Sequence, residues 1–88
     1  MAQRSAVVAS RVGLHARPAA LFARAAAEAG IPVTIAKDGS GAVDAASVLA
    51  VMTLGAQHGD EVTLTAEGED AERVLEELVT LLTTDLDA

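Results

Sequence analysis

The chain has no cysteine, no tryptophan and no tyrosine, and its single aromatic residue is Phe22. Without cysteine there can be no disulfide, no thiolate metal site and no thiol nucleophile. One aromatic ring makes no stacking platform for nucleic-acid bases. No run of about 18 apolar residues occurs, so no segment reads as a membrane span. The first residues lack the charged-then-apolar layout of an export signal, which leaves the cytoplasm as the expected location. No linker, repeat or low-complexity tract divides the 88 residues, which predicts one domain over 1–88 with one modest core. Apolar residues make up 51% of the chain and alanine fills 20 positions, so that core must be assembled from small and branched aliphatic side chains.

Basic residues are also few, 6 against 13 acidic ones, for a net charge of −7. That balance argues against a nucleic-acid binder, which carries a basic face. The charge is uneven along the chain, however. Residues 1–37 hold Arg4, Arg11, Arg17, Arg24 and Lys37 against Glu28 alone, a net of +4. Residues 38–88 hold Arg73 against 12 acids, a net of −11. A basic N-terminal third on an acidic body suggests a local basic site, with scattered solvated charge as the alternative.

What is present orders itself into seven elements. RSAVVAS (4–10) reads as a strand ahead of Gly13. Residues 16–29 read as a helix: Pro18 suits the first turn, Gly30 suits the position after the last turn, and Pro32 prevents continuation. Leu21, Phe22, Ala25 and Ala29 are expected on its buried face. PVTIAK (32–37) alternates as a strand, DGSG (38–41) signals a turn, and 42–45 form a short return strand. Ser47 is placed to cap a short helix over 48–53 that Gly55 ends. DEVTLTA (60–66) alternates with Val62 and Leu64 inward, and a last amphipathic helix spans 70–84. The order β-α-β-β-α-β-α describes an α+β protein, a two-layer sandwich with helices covering one face of the sheet.

Chemistry has few candidates. His58 lies in the polar turn QHGD and is expected to be a solvated loop residue. His15 lies in GLHARPAA (13–20), immediately before the first helix. A helix start presents unpaired backbone N–H groups and a positive dipole end, and it binds phosphate readily. Imidazole is a nucleophile, and Arg17 offers a planar fork of donors to phosphate oxygens. Gly13 allows the sharp turn that brings the ring to the surface. These are the parts of a phosphoryl acceptor. No nucleotide-binding glycine loop, no metal cluster and no second base accompany them, so no cofactor is expected. On the residues alone, an incidental histidine beside a helix start is the open alternative.

GLHARPAA resembles the active-site motif of the HPr family, the histidine-containing phosphocarriers of the bacterial sugar phosphotransferase system. SVLAVMTLG (47–55) resembles the segment around that family's regulatory serine, and VTLTAEGEDA (62–71) resembles its last strand and the run into its final helix. The three blocks stand in register and extend the resemblance over essentially the whole chain. It implies an open-faced sandwich with a four-stranded antiparallel sheet and three helices on one face. It implies that His15 carries phosphate on Nδ1, taken from phosphorylated enzyme I, whose own donor is phosphoenolpyruvate, and passed to IIA domains of sugar permeases. Arg17 would pair with the phosphate, and the backbone N–H groups of Ala16 and Arg17 would help hold it. The protein would then be a carrier with a phosphohistidine intermediate rather than a free-standing enzyme.

The resemblance also places partner docking on the first helix and the short one after Ser47. Leu49, Met52 and Leu54 are its apolar candidates, with core packing the alternative for Met52 and Leu54. Arg11 and Arg24 are candidates for steering an acidic partner. Ser47 matches the regulatory serine, which would add a serine kinase or a transcriptional regulator to the partners. Three positions depart from the family pattern. Ala46 stands where many serine-regulated members carry Lys, Ala50 where many carry Gly, and Val12 where a small polar residue is common. A carrier or serine-switched binding protein in a regulatory, nitrogen-related phosphorelay is the alternative function. A monomer is expected, since one core accounts for the apolar positions.

Overall fold

A computed structural model describes residues 2–37 and 41–84. The elements are β1 (Ala2–Val7), α1 (Ala16–Glu28), β2 (Val33–Lys37), β3 (Val43–Asp44), α2 (Val48–Thr53), β4 (Glu61–Ala66) and α3 (Ala71–Leu82). The strands form one sheet in the order β1-β4-β2-β3, with every neighbouring pair antiparallel. The last strand in sequence is therefore inserted between the first two. The α+β sandwich expected from the element order is the one observed.

Alternation along the strands decides the faces, because successive side chains point to opposite sides. Val62, Leu64 and Ala66 of β4 are buried. The register sets Ala6 opposite Val62, Ile35 opposite Leu64 and Val33 opposite Ala66, so the three long strands present one apolar face. The other face carries Gln3, Ser5, Thr34, Thr63 and Thr65, a polar surface that no helix among the described residues covers. Arg4 falls on the apolar face opposite Leu64, and its guanidinium reaches out to Glu72 at the start of α3, 3.4 Å away. Both ends of that pair are well exposed, and it adds little to stability.

α1 buries Pro18, Ala19, Phe22, Ala23 and Ala26. This corrects the expected face: Leu21 is 37% exposed, and Ala25 and Ala29 are only half-buried. Nearly every position of this helix is apolar, so periodicity does not single out one stripe. The only large ring does, and Phe22 is fully enclosed. α3 buries Ala71, Val74, Leu75, Leu78 and Leu82 at the i, i+3, i+4 spacing expected, while Leu81, expected in the same stripe, is only half-buried.

Boundaries shift for local reasons. β1 lies at 2–7 rather than 4–10, because the backbone then turns to other partners: Val8 N–H bonds Asp60 O at 2.9 Å and Ala9 N–H bonds Leu82 O at 2.9 Å. α3 ends at Leu82 rather than 84, where the hydroxyls of Thr83 and Thr84 donate back to the carbonyls of Val79 (2.9 Å) and Thr80 (2.7 Å). The return strand is two residues long, and the DGSG turn lies outside the described residues except for Gly41.

Phe22 is the largest fully buried side chain in a core otherwise built of aliphatics. Phe22→Ala is expected to cost about 3–5 kcal/mol, read from the urea midpoint at an unchanged slope.

Candidate phosphoryl-acceptor site

The site begins with a close approach of two backbones. Gly13 has φ +74°, and a Cβ there would lie 2.5 Å from the carbonyl oxygen of Ala56 and 2.8 Å from Cα of Gln57. Only glycine fits, both in space and in conformation. The next residue locks the contact: Leu14 N–H donates to Ala56 O at 2.9 Å, and the Leu14 side chain is buried. Gly13 N–H in turn bonds Ser10 O at 3.0 Å, closing the turn after β1.

His15 therefore follows directly on a buried anchor. It occupies the N-cap of α1 in extended conformation (φ −124°, ψ 160°), half-buried, and its side chain makes no capping hydrogen bond. Its carbonyl accepts the Ala19 N–H at 3.4 Å. Ala16 has φ +47°, a left-handed conformation that costs a side-chain-bearing residue about 1–2 kcal/mol. Helix geometry gives the N–H groups of Ala16 and Arg17 no acceptor within α1, and Pro18 has no N–H to leave open. Arg17 is exposed, with no hydrogen bond or ion pair among the described residues. The structure thus brings His15, Ala16 and Arg17 to one helix start, as the sequence indicated.

The carbonyl of Ala56 is fixed by the loop it belongs to. Asp60 accepts the Gln57 N–H at 2.9 Å and pairs with Lys37 Nζ at 3.2 Å. Lys37 Nζ also donates to Gly55 O at 3.3 Å. These bonds, led by the one from Gln57, hold the Asp60 carboxyl below its ordinary pKa. Sequence reasoning missed Lys37, Ala56 and Asp60. One signal was available for Lys37, which continues the inward alternation of Val33 and Ile35 and so sets a cation where an apolar residue is expected. Ala56 acts through its backbone carbonyl, which no local pattern announces, and Asp60 through a carboxylate that reaches Lys37 only in the folded chain.

The remaining candidates fall around α2, which packs against α1. Ser47 is its N-cap, and Oγ accepts the Ala50 N–H at 3.2 Å. Leu49 is 75% exposed and Val48 40%, whereas Met52 and Leu54 are half-buried and pack on the core. Arg11 is exposed in the turn before His15. Arg24 is exposed but bonds Glu28 at 3.4 Å, one turn along, which offsets its charge. His58 is exposed in its turn.

A family model described as the PTS HPr component phosphorylation site matches residues 2–84. The chain belongs to the HPr family. A phosphocarrier protein HPr of Streptomyces coelicolor is 51% identical over 87 residues, covering 99% of this chain and 94% of that one. The structure of HPr-C-His from Thermoanaerobacter tengcongensis superposes with a TM-score of 0.91 at 35% identity, covering 100% of this chain and 98% of that one. The HPr-like Crh of Bacillus subtilis gives a TM-score of 0.71 at 41% identity, with 93% of each chain covered, and is described as a dimer with a swapped domain. A monomeric state therefore does not follow from membership of the HPr family. As an HPr-type phosphocarrier the chain belongs to the phosphotransferase system, and no helix among its described residues is long and apolar enough to cross a membrane.

Two outcomes test this geometry. Gly13→Ala is expected to destabilise the fold by about 3 kcal/mol, from the strained φ and the collision with Ala56, measured by thermal or urea unfolding. A carboxyl with a depressed native pKa binds its proton later in the folded state than in the unfolded one. Its contribution to stability is full above the unfolded value of about 4 and fades as pH falls through the native one. The stability gap between the wild type and Asp60→Asn is therefore expected to be constant at neutral pH and to shrink below about pH 4, in unfolding curves recorded across that range.

Proposed function

We propose that His15 accepts a phosphoryl group from phospho-enzyme I and passes it to IIA domains of sugar permeases. The observation that carries this reading is the His15 side chain at the N-cap. It makes no cap bond, so the helix-start N–H groups beside it are left to a ligand. By resemblance the accepting atom is Nδ1. As its lone pair forms the new N–P bond, the bond from phosphorus to the donor breaks, and the donor keeps that electron pair. Charge during such a transfer spreads over the three outer phosphate oxygens. The N–H groups of Ala16 and Arg17, fixed at the helix start, and the Arg17 guanidinium, free to swing onto the phosphate, are the donors that meet it. Transfer onward is the same step in reverse.

Docking on this reading centres on Leu49 and Val48, the exposed apolar residues of α2, with Arg17 and Arg11 beside α1. An apolar centre with a basic rim suits an acidic partner surface, and a relay requires small interfaces that release quickly. Met52 contributes through its exposed part only. Arg24, already paired with Glu28, contributes mainly at long range. Ser47 acts first as the cap of α2. A phosphate on it would set about −2 charge next to Leu49 and repel the same acidic partner.

The test is incubation with enzyme I and labelled phosphoenolpyruvate. Acid-labile label on the wild type and none on His15→Ala is the expected result; label that persists in His15→Ala overturns the assignment. Arg17→Glu is expected to slow transfer at least about 100-fold, because it reverses a charge in contact with the phosphate. Arg24→Glu is expected to slow association by about threefold and to leave the rate at saturating partner unchanged.

A further inference from the structure

We propose that Lys37 and Asp60 are positioning residues for His15, acting as a latch on the loop that carries Ala56. This inference rests on His15 being the phosphoryl acceptor. The loop from Gly55 to Asp60 joins α2 to β4 and has no regular structure of its own. It nevertheless supplies the one backbone acceptor that fixes Leu14, the residue before His15. Something other than a helix or strand ladder must hold that acceptor still.

Lys37 and Asp60 do so from opposite sides. Lys37 ends β2 at a register position opposite Val62, so its stem starts from the apolar face and its ammonium emerges at the sheet end. There Nζ reaches Gly55 O at 3.3 Å, at the beginning of the loop, and Asp60 Oδ2 at 3.2 Å, at its end. The same Asp60 oxygen accepts the Gln57 N–H at 2.9 Å, in the middle of the loop. Ala56 lies between Gly55 and Gln57, so both of its neighbours are tied to one ion pair. The pair is about one-third exposed (34% and 35%), and as an isolated surface contact it would be worth little. Backbone bonds also hold the ends of the loop, Gly55 N–H to Met52 O at 3.2 Å and Gly59 N–H to Val8 O and Val8 N–H to Asp60 O at 2.9 Å. The value of the pair comes from the two groups it satisfies on either side of Ala56, a carbonyl and an N–H, through charge-assisted hydrogen bonds.

The mechanical path is short. A loosened Gly55–Gln57 segment moves Ala56 O, Leu14 N–H follows it, and His15 moves with Leu14. A group-transfer step depends steeply on the placement of the attacking atom. The latch should therefore govern the transfer step and leave docking unchanged, since Leu49 and Val48 lie on a different element.

The test compares Lys37→Met, which keeps the stem and removes the charge, with Lys37→Arg and Asp60→Asn. Amide hydrogen exchange under native conditions is expected to quicken about fivefold at Leu14 in Lys37→Met and Asp60→Asn, with Leu64 in the sheet centre unchanged. The transfer rate at saturating phospho-enzyme I is expected to fall about fivefold in both, with the half-saturating concentration unaltered, and Lys37→Arg to retain at least half of the wild-type rate. Unchanged exchange at Leu14, or equal acceleration at Leu14 and Leu64, overturns the latch; the second result reduces the pair to general stability. Exchange needs no partner protein, so wild type that takes no phosphate from enzyme I, with Leu14 responding as expected, defeats the functional reading and not the latch. A normal wild-type rate with Leu14 and transfer both indifferent to the substitutions defeats the latch alone.

Discussion

Two stretches of backbone meet where Gly13 and Leu14 lie against Ala56 and Gln57, and the candidate site depends on that contact. No side chain can intervene, because a Cβ on Gly13 would lie 2.5 Å from the Ala56 oxygen. The hydrogen bond from Leu14 N–H and the burial of the Leu14 side chain then leave the next residue little freedom. His15 is consequently presented by a turn whose two ends are both fixed, one in the core and one in α1. The left-handed Ala16 lies directly after it, a conformation sustained only where its surroundings determine it.

Much of this was legible in the sequence, and the reasons differ by element. Alternation in VTLTA and the i, i+3, i+4 pattern from Ala71 to Leu82 name their own faces, because apolar and polar residues share the positions. The alanine-rich α1 does not: with apolar residues almost all round, its buried stripe is decided by where Phe22 finds room. The placement of His15 and Arg17 at the start of α1 was legible because Gly13, Pro18 and the alanine run mark where that helix begins. Ala56 and Asp60 were not, since they contribute a carbonyl and a loop clasp. Those roles come from chain segments that meet only in three dimensions. Lys37 was half legible, as a cation in an apolar register.

The charge distribution acquires a more specific meaning in the fold. The basic third of the chain does not form a continuous patch. Arg4 is drawn to Glu72, Arg24 to Glu28 and Lys37 to Asp60, each at 3.2–3.4 Å. Arg17 is the cation of α1 that no carboxylate holds among the described residues. Arg17 is thereby left as an uncommitted donor at the helix start, while its paired neighbours add little to the local field.

The strand order also sets a timetable. β4 pairs with both β1 and β2, so Ala6 waits for Val62 and Ile35 waits for Leu64. Leu14 likewise waits for Ala56. As the chain emerges during synthesis, its first half holds the histidine and the arginine but has nothing to arrange them against. Contacts this distant in sequence carry a loop-closure cost and slow the folding of the chain. The turn that carries His15 is thus completed only once the chain through β4 has been made, and a product truncated before Ala56 would carry the motif without the geometry.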